Sequence, residues 1–518
     1  MNCPFNNFYE LIQKQAKDRG KKVALYDGEN KIRYSEILYK ADKLAAYMAD
    51  RGISRGDKVA LFLRNSPEFI YAIFAVSKLG AILVPINTFL KGEELTYILE
   101  DSGAKLLIAS MIHEKVIHSS RAQELCLLTI WEGEMQHTDA HNIPFIEAIS
   151  TTLQVGLVAS ALEDTAVIIY TSGTTGKPKG AMLSYKNVLS NAESGRLTIN
   201  INAKDRSIVF LPMFHSFTFS IAVMVFLYVG GSMVIIRSIQ PFSNVFKQVL
   251  TKKVTIFFGI PDVYSALAKA KLPWYFLWFN KIRAFISGAA ALQPKTLEAM
   301  STKFKKATLL EGYGLSEASP AVCMNTFEKQ KAKSVGTALP GYEMKIVDEN
   351  MIELPRATVG DIITTGDNIM QGYLGRPEAT AETIVGGWLL TGDMGYMDEE
   401  GFLFIVDRKK DLIISKGINI YPRELEEVID AFTGIKASAV IGVIDEKSGE
   451  IPVAYIELEE GIDAIDEAAL RRYLREHLAN YKIPKQTHII AELPKNATGK
   501  VLKRVLKESL GATENALE

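Results

Sequence analysis

Cysteine is scarce in this chain: three in 518 residues, Cys3, Cys126 and Cys323, odd in number and scattered. That excludes a disulfide framework and makes the reducing cytoplasm the simplest setting. Net charge is almost absent too, with Lys+Arg 59 against Asp+Glu 60. Such a balance argues against a dedicated nucleic-acid binder. The opening MNCPFNNFYELIQKQAKDRG lacks the basic start and apolar core of a secretory signal. One stretch, Val209 to Ile236, lacks every Asp, Glu, Lys and Arg and is long enough to span a bilayer. Pro212, His215 and Gly230–Gly231 divide it, so it reads as a loop, a helix and a strand of a buried core.

What is present is the composition of a globular protein, 48% hydrophobic and 23% charged. The length allows two or more domains and a large core. Strand-like runs such as Val59 to Leu63 alternate with helical patterns such as Glu68 to Leu79. That alternation predicts an α/β class with mainly parallel, helix-covered sheets. From about 336 to 407 the texture shifts to short strands with Gly and Asp turns, a β-rich subdomain. After it comes a new α+β unit, with Pro422 placed for the first turn of a helix and strands at Ala437–Val443 and Pro452–Leu458.

Tyr170 to Gly180 read YTSGTTGKPKG, directly after an apolar strand-like segment. Glycines let the backbone turn tightly and approach a ligand, and hydroxyls with two lysines suit a polyphosphate. The run is not a common P-loop. Gly173 and Gly176 are too close together, and Pro178 pushes Lys177 away from the helix that motif requires.

The run closely resembles the phosphate loop of the adenylate-forming superfamily, which includes acyl-CoA synthetases, luciferases and peptide-synthetase adenylation domains. The resemblance continues in order from about Tyr34 to the Lys500 region. It implies a large N-terminal adenylation domain, 1–408, and a small mobile C-terminal lid, 409–518, hinged near Lys410. It implies ATP, Mg²⁺ and coenzyme A as partners in the chemistry. Thr171, Ser172, Gly173, Thr174, Thr175 and Lys177 would hold phosphates. In EGYGLSE, Glu311, Gly312, Tyr313 and Gly314 would border adenine, Ser316 would bond phosphate, and Glu317 would hold Mg²⁺. Ser316 stands where the family usually has Thr, and the hydroxyl survives. Gly288 and Ala289 would line the adenine side, and Asp393 and Arg408 would reach the ribose. Lys500, in NATGK, would be the catalytic lysine bridging carboxylate and α-phosphate, and Lys416 and Gly417 would line the thiol tunnel.

His215, in LPMFHSFTF, matches the family residue that gates the substrate carboxylate. Amino-acid-activating relatives carry an Asp soon after this point, and this stretch has none. Phe219 falls where long-chain enzymes have an aromatic gate, while Gly259–Pro261, Tyr264 and Trp274–Phe279 offer apolar material for an acyl tunnel. The expectation is a medium- or long-chain fatty acid–CoA ligase. Its alternatives are an acyl-AMP or acyl-carrier-protein ligase, a ligase for an aryl or short-chain acid, and an inactive relative. The aromatic run also keeps peripheral contact with the inner membrane surface open.

Overall fold

The computed structural model describes residues 3–135, 138–171, 177–288, 290, 292–415, 418–445, 448–495 and 499–514. The larger part of the molecule is built on a nine-stranded and an eight-stranded sheet, both mainly parallel with antiparallel edges. One apolar core lies between them, joining Val59 and Leu83 of one sheet to Met233 and Ile256 of the other.

Helix Pro67–Lys78 runs through this core. Ser66 caps it by accepting from Phe69 N–H at 3.4 Å, Pro67 occupies the first turn, and Phe69 to Lys78 are all buried. Its apolar residues cover the helix on every side, as burial between two sheets requires. Helix Tyr185–Thr198 is also largely buried. Ser184 and Asn187 form a reciprocal cap, and Asn187 also donates to the carbonyls of Asp367 and Ile369.

The charge-free stretch folds as anticipated. A loop leads into a π-helical segment Thr218–Met224 and helix Val225–Val229, stopped by Gly230 at φ 70° and followed by strand Ser232–Ile235. Among the described residues no helix is long and apolar enough to cross a membrane.

Strands Tyr342–Val347, Gly360–Gly366, Trp388–Met397, Ile384–Val385 and Leu403–Arg408 form a separate antiparallel sheet. The last sheet, from Ile413–Ser415 to Gln486–Ile490, has its own core with helices Pro422–Asp430 and Glu467–His477. The fold is thus a large N-terminal α/β domain followed by a smaller, mostly antiparallel C-terminal one. Two strands there extend beyond the sequence pattern, to Ile435–Asp445 and Gly449–Leu458, because their ladder continues through the exposed ends.

Candidate active site

Parallel strands Ala284–Ser287 and Thr308–Gly314 lie side by side, with Ser287 opposite Glu311. Ligands in such sheets collect beyond the carboxyl ends of the strands. A cavity of about 1800 Å³ opens there, and its walls include Ser287, Gly288, Gly312, Tyr313, Ser316 and Glu317. Backbone approach is close: a Cβ on Gly314 would stand 2.0 Å from the Pro320 carbonyl oxygen. Only glycine fits there.

Tyr313 donates its phenol proton to Asp393 Oδ2 at 2.5 Å, and Arg408 Nε lies 3.0 Å from Asp393 Oδ1. The antiparallel register of Trp388–Met397 with Leu403–Arg408 sets Asp393 opposite Arg408. Burial, then the neighbouring Asp393 carboxylate, holds the Tyr313 phenol far above its ordinary pKa, so it remains a donor.

Across the cavity, Glu317 Oε1 accepts from the Tyr373 hydroxyl at 2.9 Å, and Lys179 Nζ lies over the Tyr373 ring at 5.2 Å. Tyr373 belongs to no motif of the sequence; only its contact with Glu317 exposes it. The phosphate-loop expectation also shifts in detail. Thr171 and Lys179 pair across the end of an antiparallel hairpin, so a strand follows, in keeping with the exclusion of a P-loop. Thr171 and Lys179 line the cavity, while Lys177 is exposed, with Nζ 5.0 Å from the Tyr97 ring centroid. Ser172, Gly173, Thr174, Thr175, Ala289, Lys416 and Gly417 lie outside the described residues.

His215 faces the cavity on a loop held from below by Asn65, which donates to Leu211 O at 2.9 Å and accepts from Met213 N–H at 2.8 Å. His215 Nδ1 accepts from Phe217 N–H at 3.3 Å, which leaves Nε2 to carry the proton of a neutral ring. Burial pushes its pKa down to about 4, so the ring is neutral near pH 7. Ser216 and Ser316 hydroxyls meet at 3.0 Å and join this loop to the Tyr313–Glu317 segment.

Three expectations are corrected. Glu311 does not line the cavity; its Oε1 accepts from Leu292 N–H at 3.2 Å and so holds Leu292 beside the strand. Phe219 is fully buried in the central core near Phe8, and it is Phe217 that reaches the cavity. Gly259–Pro261, Tyr264 and Trp274–Phe279 do not wall it either. Tyr264 donates to the Phe257 and Ile286 carbonyls inside a separate core, since a buried hydroxyl must be satisfied.

The C-terminal domain delivers Lys500. Lys495 and Val501 pair in an isolated antiparallel bridge, Lys495 Nζ reaches Asp262 at 3.0 Å, and a Cβ on Gly499 would lie 2.9 Å from Ile260 Cδ1. Lys500 therefore enters the cavity beside Arg408, Lys410, Asp393 and Asp411. Burial first, and then the Arg408 charge, push its pKa down to about 8. The Thr171–Lys179 hairpin, a neutral imidazole and an inserted lysine thus meet around one cavity, with Asp393 held behind Tyr313 and Arg408.

The family described as AMP-binding enzyme matches residues 12–374, and its C-terminal domain matches 424–500. The chain belongs to the AMP-binding enzyme family. It is an adenylate-forming acid–thiol ligase, and ATP and coenzyme A are substrates of that family. It is 34% identical to a long-chain-fatty-acid–CoA ligase of Bacillus subtilis, over 95% of this chain and 92% of the relative. It is 32% identical to a feruloyl-CoA synthase of Amycolatopsis, over 94% and 96%. ATP-bound MatB from Rhodopseudomonas palustris superposes with a TM-score of 0.88 at 31% identity, over 98% of this ligase and 99% of that chain.

Proposed function

We propose that this ligase activates a medium- or long-chain fatty acid and passes it to coenzyme A. The carrying observation is an apolar stretch of the cavity wall, formed by Ile199, Ile201, Ile221, Met324 and Leu339. Gly195, on helix Tyr185–Thr198, opens this wall, because it presents no side chain towards Ile221 and Val225. Such a lining takes a hydrocarbon chain by excluding water, at about 0.8 kcal/mol per methylene buried. The long-chain relative in Bacillus subtilis agrees with it.

The chemistry is chiefly positioning and charge neutralisation. One carboxylate oxygen of the acid attacks the α-phosphorus of ATP, and pyrophosphate leaves. His215 Nε2–H orients that carboxylate, and the Lys500 ammonium spans it and the α-phosphate. Thr171 and Lys179, with the 172–177 loop, hold the outer phosphates. Asp393 accepts the ribose hydroxyls, Arg408 supports it, and Tyr313 gives adenine a flat face. Among the described residues no cluster of three metal-ligating side chains exists. One carboxylate beside the phosphate hairpin suits Mg²⁺ that arrives on ATP and keeps phosphate and water ligands; Glu317 is that carboxylate. The ion would neutralise phosphate charge.

In the second step the coenzyme A thiol sulfur attacks the acyl carbon and AMP leaves. Rotation of the 409–518 domain about Lys410 would bring Lys416 and Gly417 to the thiol path. Mass spectrometry of products from a mixed carboxylic-acid panel with Mg-ATP and coenzyme A tests this. Acyl-CoA of a narrow aliphatic length range is expected. Exclusive turnover of aryl acids, or acyl-AMP without acyl-CoA, would overturn it.

A further inference from the structure

Helix Trp274–Phe279 buries Phe276, which packs edge-on against Phe246 at 5.0 Å. Its other aromatic rings face outward. Trp274 is 73% exposed, Trp278 66%, Phe279 60% and Tyr275 48%. Four adjacent aromatic rings form a concentration of exposed apolar surface that a soluble face ordinarily avoids. Their type is informative, since Trp and Tyr favour the boundary between hydrocarbon and water, where one part of the ring stays wet.

Charge within this stretch of chain is of one sign. No Asp or Glu occurs from Val263 to Leu297, whereas Lys271 and Lys281 flank the helix and both are exposed. Lys306 comes from a different segment. Its Nζ lies over the Trp278 ring at 5.1 Å and donates to the Trp278 carbonyl at 3.2 Å. The aromatic rings thus have Lys306 against Trp278 and a lysine at either end of their helix, and the cavity wall does not use them.

We infer that this face docks on a lipid bilayer carrying anionic headgroups. Trp274, Trp278 and Phe279 enter the interfacial layer while Lys271, Lys281 and Lys306 meet headgroup phosphates. Apolar insertion plus attraction to anionic lipid is how peripheral segments hold a membrane without crossing it. Neither contribution depends on which acid the cavity takes.

The test is flotation of the full-length enzyme with vesicles of phosphatidylcholine, alone or mixed with phosphatidylglycerol, at low and high salt. The expected result is binding to the mixed vesicles, weakened by salt, with a blue shift of tryptophan emission. Trp274→Ser/Trp278→Ser/Phe279→Ser should weaken binding at least about tenfold, with turnover of a water-soluble acid unchanged. Lys271→Glu/Lys281→Glu/Lys306→Glu should abolish the preference for anionic vesicles while the far-ultraviolet spectrum stays native. Failure of the wild-type enzyme to float with either vesicle overturns the proposal, as does equal binding by the aromatic variant. So does a wild-type dimer that the aromatic variant converts to monomers without any vesicle binding, since the face is then a self-association surface.

Discussion

Tyr313 and Asp393 are joined by a 2.5 Å hydrogen bond that occupies the carboxylate oxygen not facing Arg408. Both oxygens of the proposed ribose acceptor are thus engaged before nucleotide arrives. Ribose hydroxyls must share or displace the phenol. Tyr313→Phe leaves Asp393 Oδ2 without this donor in the free enzyme, and an unsatisfied buried acceptor costs about 1–3 kcal/mol. Bound ribose restores a partner. The variant is expected to unfold at lower denaturant and to bind ATP about two- to fivefold more tightly. Asp393→Ala should weaken ATP at least about tenfold. Calorimetric titration of both variants checks the pair.

In the role proposed for it, Lys500 spans two anions and must be cationic, and its pKa is pushed down to about 8. It loses its proton as pH rises through that value. Adenylation kcat/KM is therefore expected to fall about tenfold per pH unit above 8. ATP phosphates favour the ammonium, so the fall in kcat should lie at higher pH. Lys500→Arg should remove the alkaline limb, because a guanidinium keeps its charge. Lys500→Ala should lower acyl-AMP formation by at least about a hundredfold, with ATP binding retained.

Gly195 opens the apolar wall towards Ile221. A Cβ there would stand 3.5 Å from Val225 Cγ2, an ordinary contact, so Gly195→Ala should fold normally. Gly195→Leu should shift the preferred acid to shorter chains, by at least about tenfold in the kcat/KM ratio of a short to a long acid. Competition assays with paired acids measure this ratio directly.

Burial pushes the Glu311 carboxyl from its ordinary 4.5 up to about 7, only partly opposed by the Leu292 N–H bond and then by Arg423. The folded protein therefore holds this proton more tightly than the unfolded chain does. The stabilisation is complete below pH 4.5 and is lost as pH rises through about 7. Glu311→Gln keeps an acceptor for Leu292 N–H and never ionises. It should raise stability at pH 8 by about 1–3 kcal/mol and change little in acid. Denaturant midpoints across pH test this. ATP affinity should be unchanged.

Much of this site is legible in the sequence because glycine, hydroxyl and acid side chains cluster at strand ends, where backbone approach and charge are both needed. Tyr313, Glu317, Asp393, Arg408 and Lys500 belong to such clusters; the fold brings four of them to one cavity and sets Asp393 directly behind Tyr313 and Arg408. Side-chain direction is less legible. Lys177 and Lys179 are two residues apart in one motif, yet only the hairpin register shows that Lys179 faces inward. Phe217 and Phe219 are equally close, and the helical turn beginning at Thr218 decides which one reaches the cavity. Tyr373 and Asn65 act through partners far along the chain, with no local pattern to mark them. The aromatic run shows apolar character but not its address, since a core helix and a surface helix of that length read alike.

Beside the bonds that Arg423 gives to Asp407 at 2.8 Å and to the Ile405 carbonyl at 3.0 Å, exposed pairs help fasten the face that seats Lys500. Lys269–Glu459 at 3.1 Å and Lys495–Asp262 at 3.0 Å cross it with partly exposed partners, and Gln293 adds one long bond to Asp430. Exposed pairs of this kind contribute about 0.2–1 kcal/mol each and weaken with salt. Ionic strength therefore tunes part of the grip that the C-terminal domain has on the face where Lys500 enters.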